Sequence, residues 1–177
     1  MKKVEKTIKN NVVYDGIIMT VNCDDVLSAN GLKVKREIVH HNGGVCILAE
    51  VDGKIAMVKQ FRYAYGEEMY ELPAGKLEKG ENPVHAAIRE LEEEVGLKAE
   101  SLTDLGVMYP SCGYSNEKLY LYKANNLTKV ERHLDPDECI DVYYFTLSEI
   151  VDMINNNVIK DAKTICLVFK YKELLKR

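Results

Sequence analysis

The chain has 177 residues, 46% of them hydrophobic and 29% charged, which favours one compact domain and excludes a disordered chain. The 28 Asp and Glu residues outnumber the 24 Lys and Arg residues, so we expect no nucleic-acid partner. No apolar run approaches the roughly 20 residues of a membrane helix, and the first residues do not resemble a secretory signal, so we expect a soluble, cytoplasmic protein without a membrane partner.

Short strands separated by turns are predicted for the beginning of the chain. The strands span Val12–Tyr14, Ile17–Val21 and Leu32–His40, and the turns fall at Asp15-Gly16, Asp24-Asp25 and Asn30-Gly31. We therefore interpret residues 1–42 as a small N-terminal β-rich segment that precedes a larger domain of residues 43–177.

The larger domain mixes strands with helices. A hairpin is predicted from Val45–Val51 and Lys54–Phe61, because Asp52-Gly53 is a preferred pair for a tight primed turn. Helices are predicted at Pro83–Val95, Thr146–Asn155 and from Asp161 towards Leu175, and further strands at Leu105–Tyr109, Lys118–Ala124 and Ile140–Thr146. Strands outnumber helices and do not alternate with them regularly, which favours an α+β protein with mixed sheets.

The helix predicted at Pro83–Val95 carries an unusual group of charges. Its apolar stripe consists of Val84, Ala87, Ile88, Leu91 and Val95. We place Glu90, Glu93 and Glu94 on the other side of the helix, within an arc of about 100°. Carboxylates this close repel one another, and Mg²⁺ or Mn²⁺ would relieve the repulsion. A solvated acidic face is the alternative interpretation.

Residues 75–97 match every fixed position of the Nudix box. These positions are Gly75, Glu81 and the run Arg-Glu-Leu-Glu-Glu-Glu-Val-Gly-Leu of residues 89–97. The chain therefore resembles the Nudix hydrolase family. This resemblance implies an α/β/α sandwich, two or three bound Mg²⁺ or Mn²⁺ ions, and substrates in which a nucleoside diphosphate is linked to another group.

The resemblance also implies roles for individual residues of the box. Glu90 and Glu94 would be the principal metal ligands, and the carbonyl oxygen of Ala74 would be a further ligand. Glu93 would be either a ligand or a catalytic carboxylate close to the metals. Arg89 lies four residues before Glu93 and would orient it.

The segments beside the box are similar to the ADP-ribose pyrophosphatase branch of the family. These segments are Lys-Gln-Phe-Arg-Tyr at residues 59–63 and Glu-Leu-Pro-Ala-Gly at residues 71–75. Arg62 is a candidate for binding phosphate, because a guanidinium can hold phosphate oxygens bidentately. Glu71 is a candidate for holding the substrate or its neighbours. A surface arginine and a solvated glutamate are the alternatives.

Three further residues are candidates for substrate binding. Tyr14 and Tyr63 can stack on an adenine ring, although either can instead belong to the core or its rim. Glu117 ends a loop at residues 109–117 that resembles the substrate loop of the same branch. Cys112 stands in that loop where the branch usually has proline.

The general base is expected in the acidic loop of residues 134–138. In the branch that the chain resembles, a glutamate from this loop approaches the metals and activates water. Glu138 is the best positional match, and Asp137 is the runner-up. A solvated turn without catalytic function is the alternative.

The resemblance implies Mg²⁺-dependent hydrolysis of the ADP-ribose diphosphate to AMP and ribose 5-phosphate. A pyrophosphatase for GDP-mannose or another nucleotide sugar is the alternative. A sensing module without catalysis is disfavoured, because no carboxylate of the box is missing. The resemblance also implies a homodimer formed by the N-terminal strands, with residues near Tyr14 reaching the partner's nucleotide.

Overall fold

The computed structural model describes residues 3–176, which form two compact units. The first unit contains the chain up to Gly43 together with Tyr109–Lys118. The second unit contains Gly44–Met108 and the chain from Leu119 onward. The division of the chain into domains at residues 42 and 43 remains a prediction.

The first unit is built on a four-stranded antiparallel sheet. Its strands are β1 (Lys6–Lys9), β2 (Val12–Asp15), β3 (Met19–Leu27) and β4 (Lys33–His41). Strand β3 pairs with each of the other three. The predicted turn at Asp24-Asp25 is wrong, because both residues continue β3 and pair with Arg36 and Lys35. An ion pair of 2.9 Å between Lys35 and Asp25 supports this register.

The second unit contains a seven-stranded mixed sheet. Its strands are β5 (Gly44–Val51), β6 (Lys54–Arg62), β7 (Glu67–Glu71), β8 (Ala74–Lys76), β9 (Leu97–Met108), β10 (Leu119–Lys129) and β11 (Ile140–Phe145). The main order is β11-β6-β5-β10-β9, while β7 pairs with β6 and β8 with β5. Only β5 and β10 run parallel among the described strand pairs. The predicted hairpin of β5 and β6 is confirmed, with positive φ angles at Asp52 and Gly53.

The described part of the second unit contains three helices, and their starts follow local signals in the sequence. They are α1 (Pro83–Val95), α2 (Leu147–Asn155) and α3 (Ala162–Leu174). In each helix, a backbone N–H group of the first turn donates a hydrogen bond to the side chain of the residue just before the helix. These capping residues are Asn82, Thr146 and Asp161. No helix in the described part of the chain is both long and apolar enough to cross a membrane.

Alternate residues of β5 face two different hydrophobic cores. Val45 and Ile47 pack with Leu91 of α1 in one core. Cys46 and Leu48 pack in the other core, which contains buried residues of α2 and α3. This alternation is the period of two expected for a strand buried on both faces. The second unit is therefore an α/β/α sandwich with mixed sheets, which confirms the predicted fold class.

Candidate active site

Helix α1 carries two acidic side chains among its buried residues. These buried residues are Ala86, Ala87, Glu90, Leu91, Glu94 and Val95. Glu90 is 9% exposed and Glu94 only 2%, whereas Val84 is exposed. The buried side of α1 is therefore wider than the apolar stripe and includes two of the three glutamates. A solvated acidic face is excluded for Glu90 and Glu94.

The two buried glutamates lie against the short strand β8. The backbone N–H of Ala74 donates a hydrogen bond of 2.9 Å to Oε2 of Glu94. A Cβ atom on Gly75 would lie 1.8 Å from Cδ of Glu90. A side chain at position 75 would therefore displace the Glu90 carboxylate from its place beside β8. The first residue of the box thus makes room for a later one.

Burial raises the pKa of both glutamates. For Glu94, loss of water raises the pKa to about 8, and the hydrogen bond from Ala74 offsets part of this effect. For Glu90, burial is again the main cause of the raised pKa, while Arg89 acts in the opposite direction. The negative charge of Glu138 raises both pKa values further. The site therefore concentrates carboxylates with too little positive charge to balance them.

Arg89 holds several carboxylates of the box together. Its Nη1 donates to Glu90 at 2.8 Å and to Glu93 at 2.9 Å. Its Nε and Nη2 each lie 3.2 Å from an oxygen of Glu81. Burial alone would lower the pKa of Arg89, but these carboxylates raise it. The structure therefore contains the predicted contact between Arg89 and Glu93 and extends it to two more glutamates.

The donor types around β8 fit a hard divalent cation. Carboxylate and carbonyl oxygens are the ligands that Mg²⁺ and Mn²⁺ prefer, and the carboxylates of Glu90 and Glu94 are buried beside the Ala74 backbone and Gly75. Within residues 3–176, no three acidic, histidine or cysteine side chains converge into a metal-binding group. Glu90 and Glu93 instead accept hydrogen bonds from Arg89. The residues that would hold the ion are Ala74, Glu90, Glu93 and Glu94.

We expect Gly75→Ala to weaken the binding of Mn²⁺ by about 10-fold or more. The added methyl group would displace the Glu90 carboxylate, whose Cδ lies where the new Cβ would be. Equilibrium dialysis with Mn²⁺ measures the effect, and thermal unfolding verifies that the variant is folded. Wild-type affinity in a folded variant would contradict a role for this close approach.

Arg62 and Glu71 form a pair at the ends of β6 and β7. Nε and Nη2 of Arg62 donate to the two oxygens of Glu71 at 2.5 and 2.7 Å. The Glu71 side chain is 2% exposed, so a solvated glutamate is excluded. Lys163 of α3 also contacts Glu71. Sequence reasoning missed Lys163, because it lies 92 positions from Glu71 and no local pattern connects them.

The predicted base lies in the loop between β10 and β11. Glu138 is exposed, and its backbone N–H donates to the carbonyl oxygen of Asp135 at 2.9 Å. Its negative charge contributes to the raised pKa values of Glu90 and Glu94. Asp137 is exposed in the same turn. The assignment of the base to Glu138 or Asp137 remains a prediction.

The three remaining candidates lie in different surroundings. Tyr63 follows β6 directly and is 93% exposed. Tyr14 lies on β2 in the first unit, with its ring close to Gly16. Glu117 also belongs to the first unit, where its carboxylate lies 3.7 Å from Nδ1 of His41. Substrate binding by these residues remains a prediction.

An α/β/α sandwich whose acidic helix packs on a Glu-Leu-Pro-Ala-Gly segment is the arrangement expected of a Nudix hydrolase. Residues 39–168 match the model of the NUDIX domain. This match covers most of the chain, and the chain therefore belongs to the NUDIX family.

Two curated relatives and one solved structure extend this comparison. The chain is 43% identical to an ADP-ribose pyrophosphatase of Bacillus subtilis over 163 residues, which cover 90% of this chain and 88% of that protein. It is 42% identical to a methanol dehydrogenase activator of Bacillus methanolicus, over 93% of this chain and 90% of that protein. The crystal structure of an ADP compounds hydrolase has a TM-score of 0.87 at 24% identity, covering 97% of this chain and 94% of that chain. The last likeness supports the fold alone.

Proposed function

We propose that the protein hydrolyses the diphosphate of ADP-ribose to AMP and ribose 5-phosphate with the help of Mg²⁺ or Mn²⁺. The observation that carries the proposal is the electrostatic interaction of Arg62 with the buried carboxylate of Glu94. Glu94 contributes to the raised pKa of Arg62, after the larger effect of the hydrogen bond with Glu71. This electrostatic interaction supports a site in which the arginine and the metal ligands act on the same diphosphate. The identity of 43% to an ADP-ribose pyrophosphatase supports this substrate.

Each predicted residue has a defined task in this reaction. Bound divalent ions would neutralise charge on the diphosphate and lower the pKa of a water molecule. Arg62 uses Nε and Nη2 for Glu71, so its Nη1 is the donor assigned to a phosphate oxygen. Glu138 accepts the proton of the attacking water as the bond between phosphorus and the bridging oxygen breaks. Tyr63 is assigned to the adenine, and Tyr14 to the nucleotide bound by a partner subunit.

A substrate panel tests the proposal against its alternatives. We expect kcat/KM with Mg²⁺ to be highest for ADP-ribose, by about 10-fold or more over GDP-mannose, ADP-glucose and NADH. Chromatography should identify AMP and ribose 5-phosphate as the products. A preference for GDP-mannose would assign the protein to other nucleotide sugars. Binding of ADP-ribose without turnover of any compound would favour a sensing module.

We also propose a homodimer formed through the first unit. Apolar side chains of this unit are exposed on and beside β2: Val12, Val13, Tyr14, Ile17 and Ile18. Exposed apolar side chains concentrated in one segment support an interface between proteins. Light scattering tests the proposal, and a stable, fully active monomer would contradict it.

The five cysteines are free thiols, which supports the proposed cytoplasmic location.

A further inference from the structure

The first turn of α3 brings a partly buried lysine, Lys163, to Glu71, the carboxylate that binds Arg62. The side chain of Lys163 is 14% exposed, and its ammonium group contacts Oε2 of Glu71. The same ammonium group lies 3.0 Å from Oδ1 of Asp161. Burial alone would lower the pKa of Lys163, but the two carboxylates raise it. Lys163 therefore remains positively charged.

Glu71 is shared between two cations. Arg62 binds both of its oxygens, and Lys163 binds one of them. Although burial opposes ionisation, the two cations lower the pKa of Glu71, so this carboxylate stays negatively charged. Two positive and two negative charges meet here, on Arg62, Lys163, Glu71 and Asp161, and all four residues belong to the second unit. The charge of this group is balanced before any substrate binds.

We propose that Lys163 is a positioning residue that acts through Glu71 on the phosphate-binding Arg62. This inference rests on the proposed function, in which Arg62 contacts the diphosphate. Lys163 takes up part of the negative charge of Glu71, so the guanidinium keeps more of its attraction for phosphate. Without Lys163, the full charge of Glu71 would fall on Arg62 and compete with the substrate.

The backbone beside Glu71 is held by the same turn of α3. The N–H of Leu72 donates to the hydroxyl of Thr164 at 2.8 Å, and this hydroxyl donates to Asp161 at 2.6 Å. Asp161 also accepts the N–H of Thr164 at 3.0 Å as the cap of α3. Glu71 is therefore fixed both through its side chain and through the next residue. A rigid Glu71 gives Arg62 a single orientation.

A second lysine offers a matched control. Lys160 donates to both oxygens of Glu67 at 2.9 and 3.0 Å, and Glu67 begins the strand that Glu71 ends. The side chains of Lys160 and Glu67 are 43% and 45% exposed. This pair joins the same two parts of the fold, but it lies in solvent, where an ion pair contributes little.

The test compares Lys163→Met, Lys163→Arg and Lys160→Met with the wild type. We expect Lys163→Met to raise KM for ADP-ribose by about 10-fold while kcat changes by less than about 3-fold. Calorimetry in EDTA should show a similar loss of affinity for ADP-ribose without metal. Lys163→Arg keeps the charge and should restore most of the affinity, and Lys160→Met should match the wild type.

Several outcomes would overturn this inference. The inference is wrong if Lys163→Met keeps the KM and the affinity for ADP-ribose of the wild type. It is also wrong if Lys160→Met loses as much affinity as Lys163→Met. If Lys163→Met fails to fold, Lys163→Gln replaces it, and failure of both would assign Lys163 to stability instead. The proposed function is tested separately, by the wild type alone: it is contradicted if the wild type does not hydrolyse ADP-ribose.

Discussion

Glu94→Gln should lower kcat for ADP-ribose by roughly 10³-fold or more. The amide keeps the shape of the side chain but removes the negative charge with which Glu94 would bind a divalent cation. Steady-state kinetics with saturating Mg²⁺ measures the loss. Full activity in this variant would show that the assignment of the metal ligands is wrong.

Glu92→Gln is the matched control for this substitution. Glu92 lies on the same helix, two residues from Glu94, and its carboxylate pairs with Lys98 at 3.1 Å. We have assigned it no role in binding metal or substrate. Its kcat should therefore stay within about 2-fold of the wild type, as expected for a surface ion pair. An equal loss in both variants would indicate a general effect of removing negative charge from α1.

The same Glu94→Gln substitution should stabilise the metal-free protein. Because the pKa of Glu94 is raised to about 8, the folded protein keeps a proton that the unfolded chain releases at lower pH. The free energy of unfolding should therefore fall as pH rises from about 4.5 to about 8. Glu94→Gln lacks this titration and should be more stable at pH 8, by on the order of a few kcal/mol. Urea unfolding in EDTA at pH 5 and pH 8 measures both effects, and an unfolded variant would contradict them.

Glu138→Gln should lower kcat by about 10²–10⁴-fold with little change in substrate affinity. The attacking water must lose a proton as it reacts, and the carboxylates of α1 are assigned to the metal. A group that acts mainly in the transition state changes kcat more than binding. Kinetics with ADP-ribose and binding measured by calorimetry separate these two quantities.

Asp137→Asn is the control for the position of the base. It removes a carboxylate from the same exposed turn and should have a much smaller effect on kcat. If Asp137→Asn has the large effect on kcat, the base is the residue before the predicted one. If neither variant has it, the base lies in another loop, and Glu117 is the next residue to replace.

The bounds of α1 could be predicted because its signals are local. Pro83 stands at its start, and Gly96 ends it in the left-handed conformation that favours glycine. The β5–β6 hairpin was predictable for a similar reason, since Asp52 and Gly53 determine the turn. In each case the residues that decide the structure lie within a few positions of one another.

The burial of the acidic residues could not be predicted from the pattern of α1. Glu94 accepts its hydrogen bond from Ala74, 20 positions earlier in the chain, and Lys163 reaches Glu71 across 92 positions. Helical periodicity reports which residues share a face, but it does not report which other segment covers that face. The contact of α1 with β8 therefore became known only from the folded structure.

The extent of several strands was also underestimated. Strand β9 begins at Leu97, although the sequence predicted a strand only from Leu105. In its early part, buried Leu97 and Ala99 alternate with exposed Lys98 and Glu100 as in a half-buried strand, although Lys, Ala and Glu are uncommon in strands. Pairing with β10 extends this strand, since Leu97 lies opposite Lys129 in the ladder. Pairing between distant strands thus overrode the weak local preference.

The affinity for Mn²⁺ tests most directly whether the acidic residues of α1 bind the metal on which the proposed hydrolysis depends. Titration of the metal-free protein with Mn²⁺, followed by electron paramagnetic resonance of the free ion, gives this affinity. We expect the wild type and Glu92→Gln to bind equally well, and Glu94→Gln to bind at least about 10-fold more weakly. Binding of Mn²⁺ by Glu94→Gln with wild-type affinity would contradict the assignment of the metal site to the acidic residues of α1.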